Sequence, residues 1–149
     1  MRRTLLTLLL AAASTGCSLL GQDASCTKAD DDSRVSALWR PADFGSLDAA
    51  KIQLCVRGTC KEQPSGNPDD PFATLSVQLP DDIGASTVTV RLTVTSAKTG
   101  ATVVEDSARA RLTEQHPNGA SCPPTVWTST FRAHPDKGLI SPKGIKLQN

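Results

Sequence analysis

Residues 86–96 read Ser-Thr-Val-Thr-Val-Arg-Leu-Thr-Val-Thr-Ser (STVTVRLTVTS). Val88, Val90, Leu92 and Val94 alternate with Thr87, Thr89, Arg91, Thr93 and Thr95. Successive side chains of an extended strand point to opposite faces, so this order buries one face and wets the other. A helical period would scatter the same residues around a cylinder. The segment is a half-buried β-strand.

The same period of two, weaker elsewhere, places strands near Arg34 to Trp39, Lys51 to Val56, Thr59 to Gln63 and Ala73 to Leu79. Others follow at Ala101 to Thr113 and Thr125 to Ala133, with a short piece at Leu139-Ile140. Between them lie turn signals: Arg57-Gly58, the Pro/Gly/Asn/Asp stretch Pro64 to Pro71, Pro80-Asp81-Asp82 and Lys98-Thr99-Gly100. The phase slips in Ala101 to Thr113, where Val103 and Val104 are adjacent, and a bulge near Glu105-Asp106 would reconcile the two halves. Residues 46–51 are the one candidate helical turn. About seven short strands with regular turns, and no helix to cross over a parallel sheet, predict an all-β, antiparallel β-sandwich.

The chain opens MRRTLLTLLLAAASTGC. Two arginines, an apolar run from Leu5 to Ala13 and small residues leading to a cysteine form an export signal, too short to remain as a membrane-spanning helix. Ser14-Thr15-Gly16-Cys17 reads as a lipobox, which makes residues 1–16 a lipoprotein signal peptide and Cys17 the lipidation site. Cleavage after Ala11-Ala12-Ala13 would instead leave Cys17 a bystander, and Ser14 stands where a lipobox usually has leucine. Cysteine parity favours acylation, because of five cysteines it leaves Cys26, Cys55, Cys60 and Cys122, an even set. Two or three acyl chains, at about 0.8 kcal/mol per buried CH₂, hold a protein durably at a bilayer. The expected location is the extracytoplasmic face of the cell membrane, with lipid as the first partner.

Removing residues 1–16 leaves 133 of the 149 residues and, without Arg2 and Arg3, a net charge of −1 against +1 for the whole chain. That is one domain's worth of chain, expected as a monomer. So small a net charge gives no electrostatic case for nucleic acid or anionic lipid as a partner. The domain plan is therefore signal peptide 1–16, lipidated N-terminus and leash 17–32, sandwich 33–141 and tail 142–149. The stretch SLLGQDAS between Cys17 and Cys26 spans at most about 30 Å when extended. Asp30-Asp31-Asp32 lacks the glycine and distal glutamate of a calcium loop and reads as a solvated cluster.

Cys55-Val56-Arg57-Gly58-Thr59-Cys60 carries a geometric prediction. With Arg57-Gly58 as a two-residue turn, Val56 and Thr59 close the hairpin and Cys55 faces Cys60 as the next pair, with Cα atoms about 4.5 Å apart. Cys55 pairs with Cys60, and by elimination Cys26 with Cys122. The rival set, Cys55–Cys122 with Cys26–Cys60, imitates an immunoglobulin inter-sheet bridge, but no tryptophan follows Cys55 where that fold needs one and Cys122 precedes Pro123-Pro124.

The lipobox, the CVRGTC hairpin and the PNGASCPP stretch (Pro117 to Pro124) feeding a strand with Trp127 resemble small uncharacterised surface lipoproteins of high-GC Gram-positive, actinobacterial-type bacteria. The resemblance covers most of the mature chain and implies a single immunoglobulin-like sandwich. It implies no activity.

Chemistry is sparse. His116 and His134 each precede a proline, which marks turns, and a zinc site needs three or four ligands, so neither metal nor other cofactor is expected. Asp69-Asp70 and Asp81-Asp82 are neighbours only in sequence. No Gly-x-Ser-x-Gly, Walker loop, His-Glu-x-x-His or Ser-x-x-Lys occurs. Arg109 and Arg111, on one strand face, could meet an anion, although alternating arginines on a wet sheet more often serve solubility. With no tyrosine and few aromatics, sugar stacking lacks support, and Trp39, Trp127 and Phe131 are assigned to the core. The expectation is a non-catalytic binding or interaction domain with an extracytoplasmic protein or ligand as partner. Its candidate contact loop is Gln115 to Pro124, with His116, Asn118, Gly119 and Pro123. The alternative is an inhibitor of extracellular hydrolases presenting that loop.

Overall fold

A computed structural model describes residues 26–141. The expected signal peptide, Cys17, the expected leash up to residue 25 and the tail 142–149 lie outside the described residues. Nine strands occur in this span: β1 (Arg34–Trp39), β2 (Ala50–Val56), β3 (Thr59–Pro64), β4 (Ala73–Gln78), β5 (Thr87–Ser96), β6 (Thr102–Arg111), β7 (Thr113–Gln115), β8 (Val126–His134) and β9 (Gly138–Ile140). Seven have six residues or more, and β7 and β9 have three each. They form two sheets, one in the order β4-β1-β8-β7 with β9 also on β8, the other in the order β3-β2-β5-β6. The fold is an all-β sandwich.

β5 behaves as its pattern requires. Val88, Val90, Leu92 and Val94 are buried and face the other sheet, while Thr87, Thr89 and Arg91 are exposed. From β2 come Ile52, Leu54 and Val56, and from the opposite sheet Val35, Ala37, Trp39, Leu75 and Val77. Trp39, at the end of β1, is completely buried, and Trp127 and Phe131 are half-buried against the same core. The Trp39 indole N–H donates to the Ser65 carbonyl oxygen at 2.9 Å, and the buried Ser65 hydroxyl accepts from the Ala50 N–H at 3.2 Å. A large aromatic with one polar atom is thus buried without an unpaired donor.

Three local expectations need correction. The pairing is not antiparallel throughout, since β1 and β8 run parallel, Val35 opposite Ser129 and Ala37 opposite Phe131. No hairpin joins these first and last long strands, so no tight turn dictates opposite directions. The bulge lies at Val103, not at Glu105-Asp106: Val94 faces Val104 and Thr95 faces Thr102. Next to the Lys98-Thr99-Gly100 turn an extra residue is accommodated outside the core, leaving Val103 exposed. The helical turn is a 3-10 turn at Pro41–Phe44, started by the fixed φ of Pro41. Residues 46–49 make only a turn, with Asp48 at φ 52, and Ala50 already belongs to β2.

Both open sides of the sandwich are laced. On one, the Gln63 side-chain amide donates to the Thr74 carbonyl oxygen at 3.2 Å, joining β3 to β4. On the other, Asp106 sits at an inward position of β6, opposite Leu92, and accepts the Leu139 backbone N–H at 2.8 Å. A Cβ added to Gly138, whose φ is +68, would collide with that carboxylate. Only glycine fits there.

Candidate functional site

The predicted contact loop lies at one end of the sandwich, where β7 leaves the sheet at Gln115 and β8 enters it at Val126. Two successive turns shape it. The Gly119 N–H donates to His116 O and the Cys122 N–H to Gly119 O, each at 3.0 Å, with Gly119 at φ 105 and a cis bond between Pro123 and Pro124.

Cys26–Cys122 bonds the loop to the start of the described chain, with Cα atoms 5.6 Å apart, and Cys55–Cys60 closes the hairpin with Cα atoms 4.0 Å apart. Both pairings are those expected from the sequence, Cys55–Cys60 from the hairpin register and Cys26–Cys122 by elimination. Cys55 faces Cys60 and Val56 faces Thr59, with Arg57 and Gly58 both at positive φ, as a two-residue turn of the primed type requires.

Asn118 is the organising residue of the loop. Its Oδ1 accepts from the Thr27 hydroxyl at 2.7 Å and from the Ala29 N–H at 2.9 Å. Its Nδ2 donates to Ala29 O at 3.1 Å and to Pro123 O at 2.7 Å. A side-chain amide has two donors and an acceptor with two lone pairs, so every valence is used within the molecule. Asn118 therefore faces the N-terminal segment and presents nothing to a partner. Beyond it the segment is held by an Arg34–Asp31 ion pair and by Gln78 donating to Asp32 at 2.7 Å. The buried Ser33 hydroxyl then accepts the Trp127 N–H at 3.0 Å.

His116 faces elsewhere. Its Nε2 lies 3.0 Å from Glu114 Oε1, and with Pro117 it walls one side of an open groove of about 650 Å³ over the outer face of the β4-β1-β8 sheet. The floor carries hydroxyls, Ser36 and Ser76 hydrogen-bonded at 2.7 Å with Thr74, Thr128 and Thr130 beside them, next to the apolar side chain of Leu38. Gly119 and Pro123 are exposed on the loop's rim. Of the four candidate contact residues, His116 lines the groove, Asn118 is a clamp, and the other two form the outer edge. The alternation in β1, β4 and β8 carried the signal for this floor: Ser36, Ser76, Thr128 and Thr130 are the polar half of a period of two.

The other candidates do not converge. His134 accepts the Asp136 N–H at 3.0 Å at the far end of β8, about 25 Å of strand away from His116. Among the described residues no three His, Cys, Asp or Glu side chains gather as metal ligands. The exposed apolar side chains Leu47, Phe72 and Val103 lie at that far end, away from the loop.

Comparison with family models, with curated proteins and with solved structures found no match. No described helix is long and apolar enough to cross a membrane.

Proposed function

We propose that the protein is a lipoprotein tethered through acylated Cys17 to the extracytoplasmic face of the cell membrane, where its sandwich acts as a non-catalytic binding or interaction domain. The observation that carries the binding role is the hydroxyl-floored groove walled by His116 and Pro117. Its wall is pre-organised, because Asn118 and the Cys26–Cys122 bridge fix the loop before any ligand arrives. Ordering entropy is then already spent in folding, which favours binding. Separation of the two histidines by the length of β8 supports a role without acid–base catalysis.

The kinship with small actinobacterial-type surface lipoproteins and the immunoglobulin-like form of the sandwich belong to the same reading. In favour of that form, the first strand lies parallel beside the last long one. In departure from it, β2 and β3 share a sheet, where the constant-type immunoglobulin order divides its second and third strands.

Two measurements test the proposal. Mass spectrometry of native protein should find diacylglyceryl on residue 17, and an unmodified Cys17 would overturn the anchor. A photo-crosslinker placed at His116 in living cells should capture a discrete partner that the same probe at Lys98, at the opposite end, does not. Identical capture from both positions would overturn the groove. Inhibition of hydrolases is the second reading, favoured by the rigid hold on the exposed rim Gly119 to Pro123. Protection of a serine protease substrate by the purified domain, lost on grafting a flexible loop there, would establish it.

A further inference from the structure

The near-zero net charge hides a segregation that the strand registers bring to light. On the outer face of the β3-β2-β5-β6 sheet, Thr87 faces Arg111, Thr89 faces Arg109, and Arg91 stands between Cys55 and Ser107. Arg91 and Arg109 are diagonal neighbours, about 7–8 Å apart, and Arg109 and Arg111 are two residues apart on one strand. Arg57 joins them from the hairpin turn, its backbone N–H on Thr89 O at 3.4 Å. All four arginines are exposed.

None of them forms an ion pair with another described residue. The ion pairs among the described residues are Arg34–Asp31, Lys51–Glu62 and Arg132–Asp43, and Glu114 lies against His116 Nε2. The carboxylates on this face, Glu62 and Glu105, both sit one row further from the turn than Arg91, beside Gln53 and Thr93. The face therefore gathers its four unpaired cations toward Arg57, while away from it stand the Lys51–Glu62 pair and Glu105. Its cationic end is also the end at which Cys26 to Ser33 enters β1, since Arg34 pairs with Gln78 and Thr128 while Val56 pairs with Val90 at the same end of the other sheet.

We propose that Arg57, Arg91, Arg109 and Arg111 form a docking face for the anionic headgroups of the bilayer to which the chain is tethered. The orientation rests on the anchor reading: a chain held from its N-terminal side keeps this end near the lipid, and the sheet lies face-on rather than end-on, because Asp30, Asp31, Asp32 and Asp81 crowd the tip of the same end. The attraction itself does not rest on it. Guanidinium forks match phosphate oxygens in geometry, and juxtamembrane cations are drawn to anionic lipid. Beyond Arg91 the face carries Glu105 and a Glu62 already paired with Lys51, so it offers the lipid no comparable attraction. The groove on the opposite sheet then stays open to a partner while the domain lies against the membrane.

The test uses a chain beginning at Ser18, which contains every described strand, the whole core and both disulfides but neither signal peptide nor acyl group. It should float with vesicles of phosphatidylcholine containing roughly one-third phosphatidylglycerol at low salt, and lose binding at high salt as the Debye length shrinks. R109Q with R111Q should lower the partition coefficient about 25-fold, about fivefold per arginine, with an unchanged near-ultraviolet circular dichroism spectrum. K51Q, at the far end of the face, should leave it unchanged. Equal binding to pure phosphatidylcholine, indifference to R109Q with R111Q, or retention on soluble polyphosphate without flotation would each overturn the assignment. None of these results depends on whether native Cys17 is acylated, so failure here and failure of the anchor are read separately.

Discussion

The two disulfides brace regions of opposite character. Cys55–Cys60 lies in a hairpin whose two-residue turn, six-pair register with β2 and neighbouring strand β5 already hold it in place. Cys26–Cys122 lies among exposed coil, 96 residues apart in sequence, where the segment Thr27 to Ala29 joins no strand and is otherwise held by Asn118. A local crosslink repeats what the backbone has decided. The long-range one supplies what the backbone does not, and it does so at the loop that shapes the candidate groove.

That contrast gives a ranked set of outcomes. Replacing Cys26 and Cys122 together by serine should lower the free energy of unfolding by about 4–5 kcal/mol in the chain-entropy model, read from denaturant midpoints at constant slope. The same treatment of Cys55 and Cys60 should cost about 2 kcal/mol in that model, because the loop removed from the unfolded ensemble is short. Equal losses for the two pairs would break the comparison.

Asn118→Ala should cost about 1–2 kcal/mol, since its hydrogen bonds are solvent-accessible and each contributes little in net terms. Most of that loss should vanish in the background lacking Cys26 and Cys122, if amide and disulfide hold one segment jointly; a double-mutant cycle measures the coupling. Additive effects would mean two independent braces. The smallest change is Gly58→Ala, where φ is +86 and a Cβ meets no neighbouring atom. The backbone penalty alone should cost about 1 kcal/mol, visible as a lowered thermal midpoint with the hairpin disulfide still formed.

Legibility in the sequence followed the range of the interaction. Strand positions were readable because solvent contrast acts residue by residue, so Val88 to Val94 announce their face without knowledge of any partner. The Cys55–Cys60 bridge was readable because Arg57-Gly58 fixes a register over four residues. Asn118 looked like a contact residue because an asparagine between Pro117 and Gly119 is ordinary loop chemistry. Its three partner residues, Thr27 and Ala29 among them, lie up to 91 positions away and leave no periodic trace. Asp106 reads as one more polar residue in a disturbed strand, and only the approach of Gly138 shows why a carboxylate stands at an inward position.

The amino-acid order alone determined the all-β class, eight of the nine described strands to within a residue or two and the Cys55–Cys60 bridge, because period-two burial and tight-turn stereochemistry are local. Packing of the two sheets decided the parallel seating of β1 beside β8, the site of the bulge, the lacing of both open sides and the gathering of four arginines at one end. Those outcomes depend on which distant segments meet. Such meetings are governed by the shape and valence of surfaces that exist only once the chain has folded.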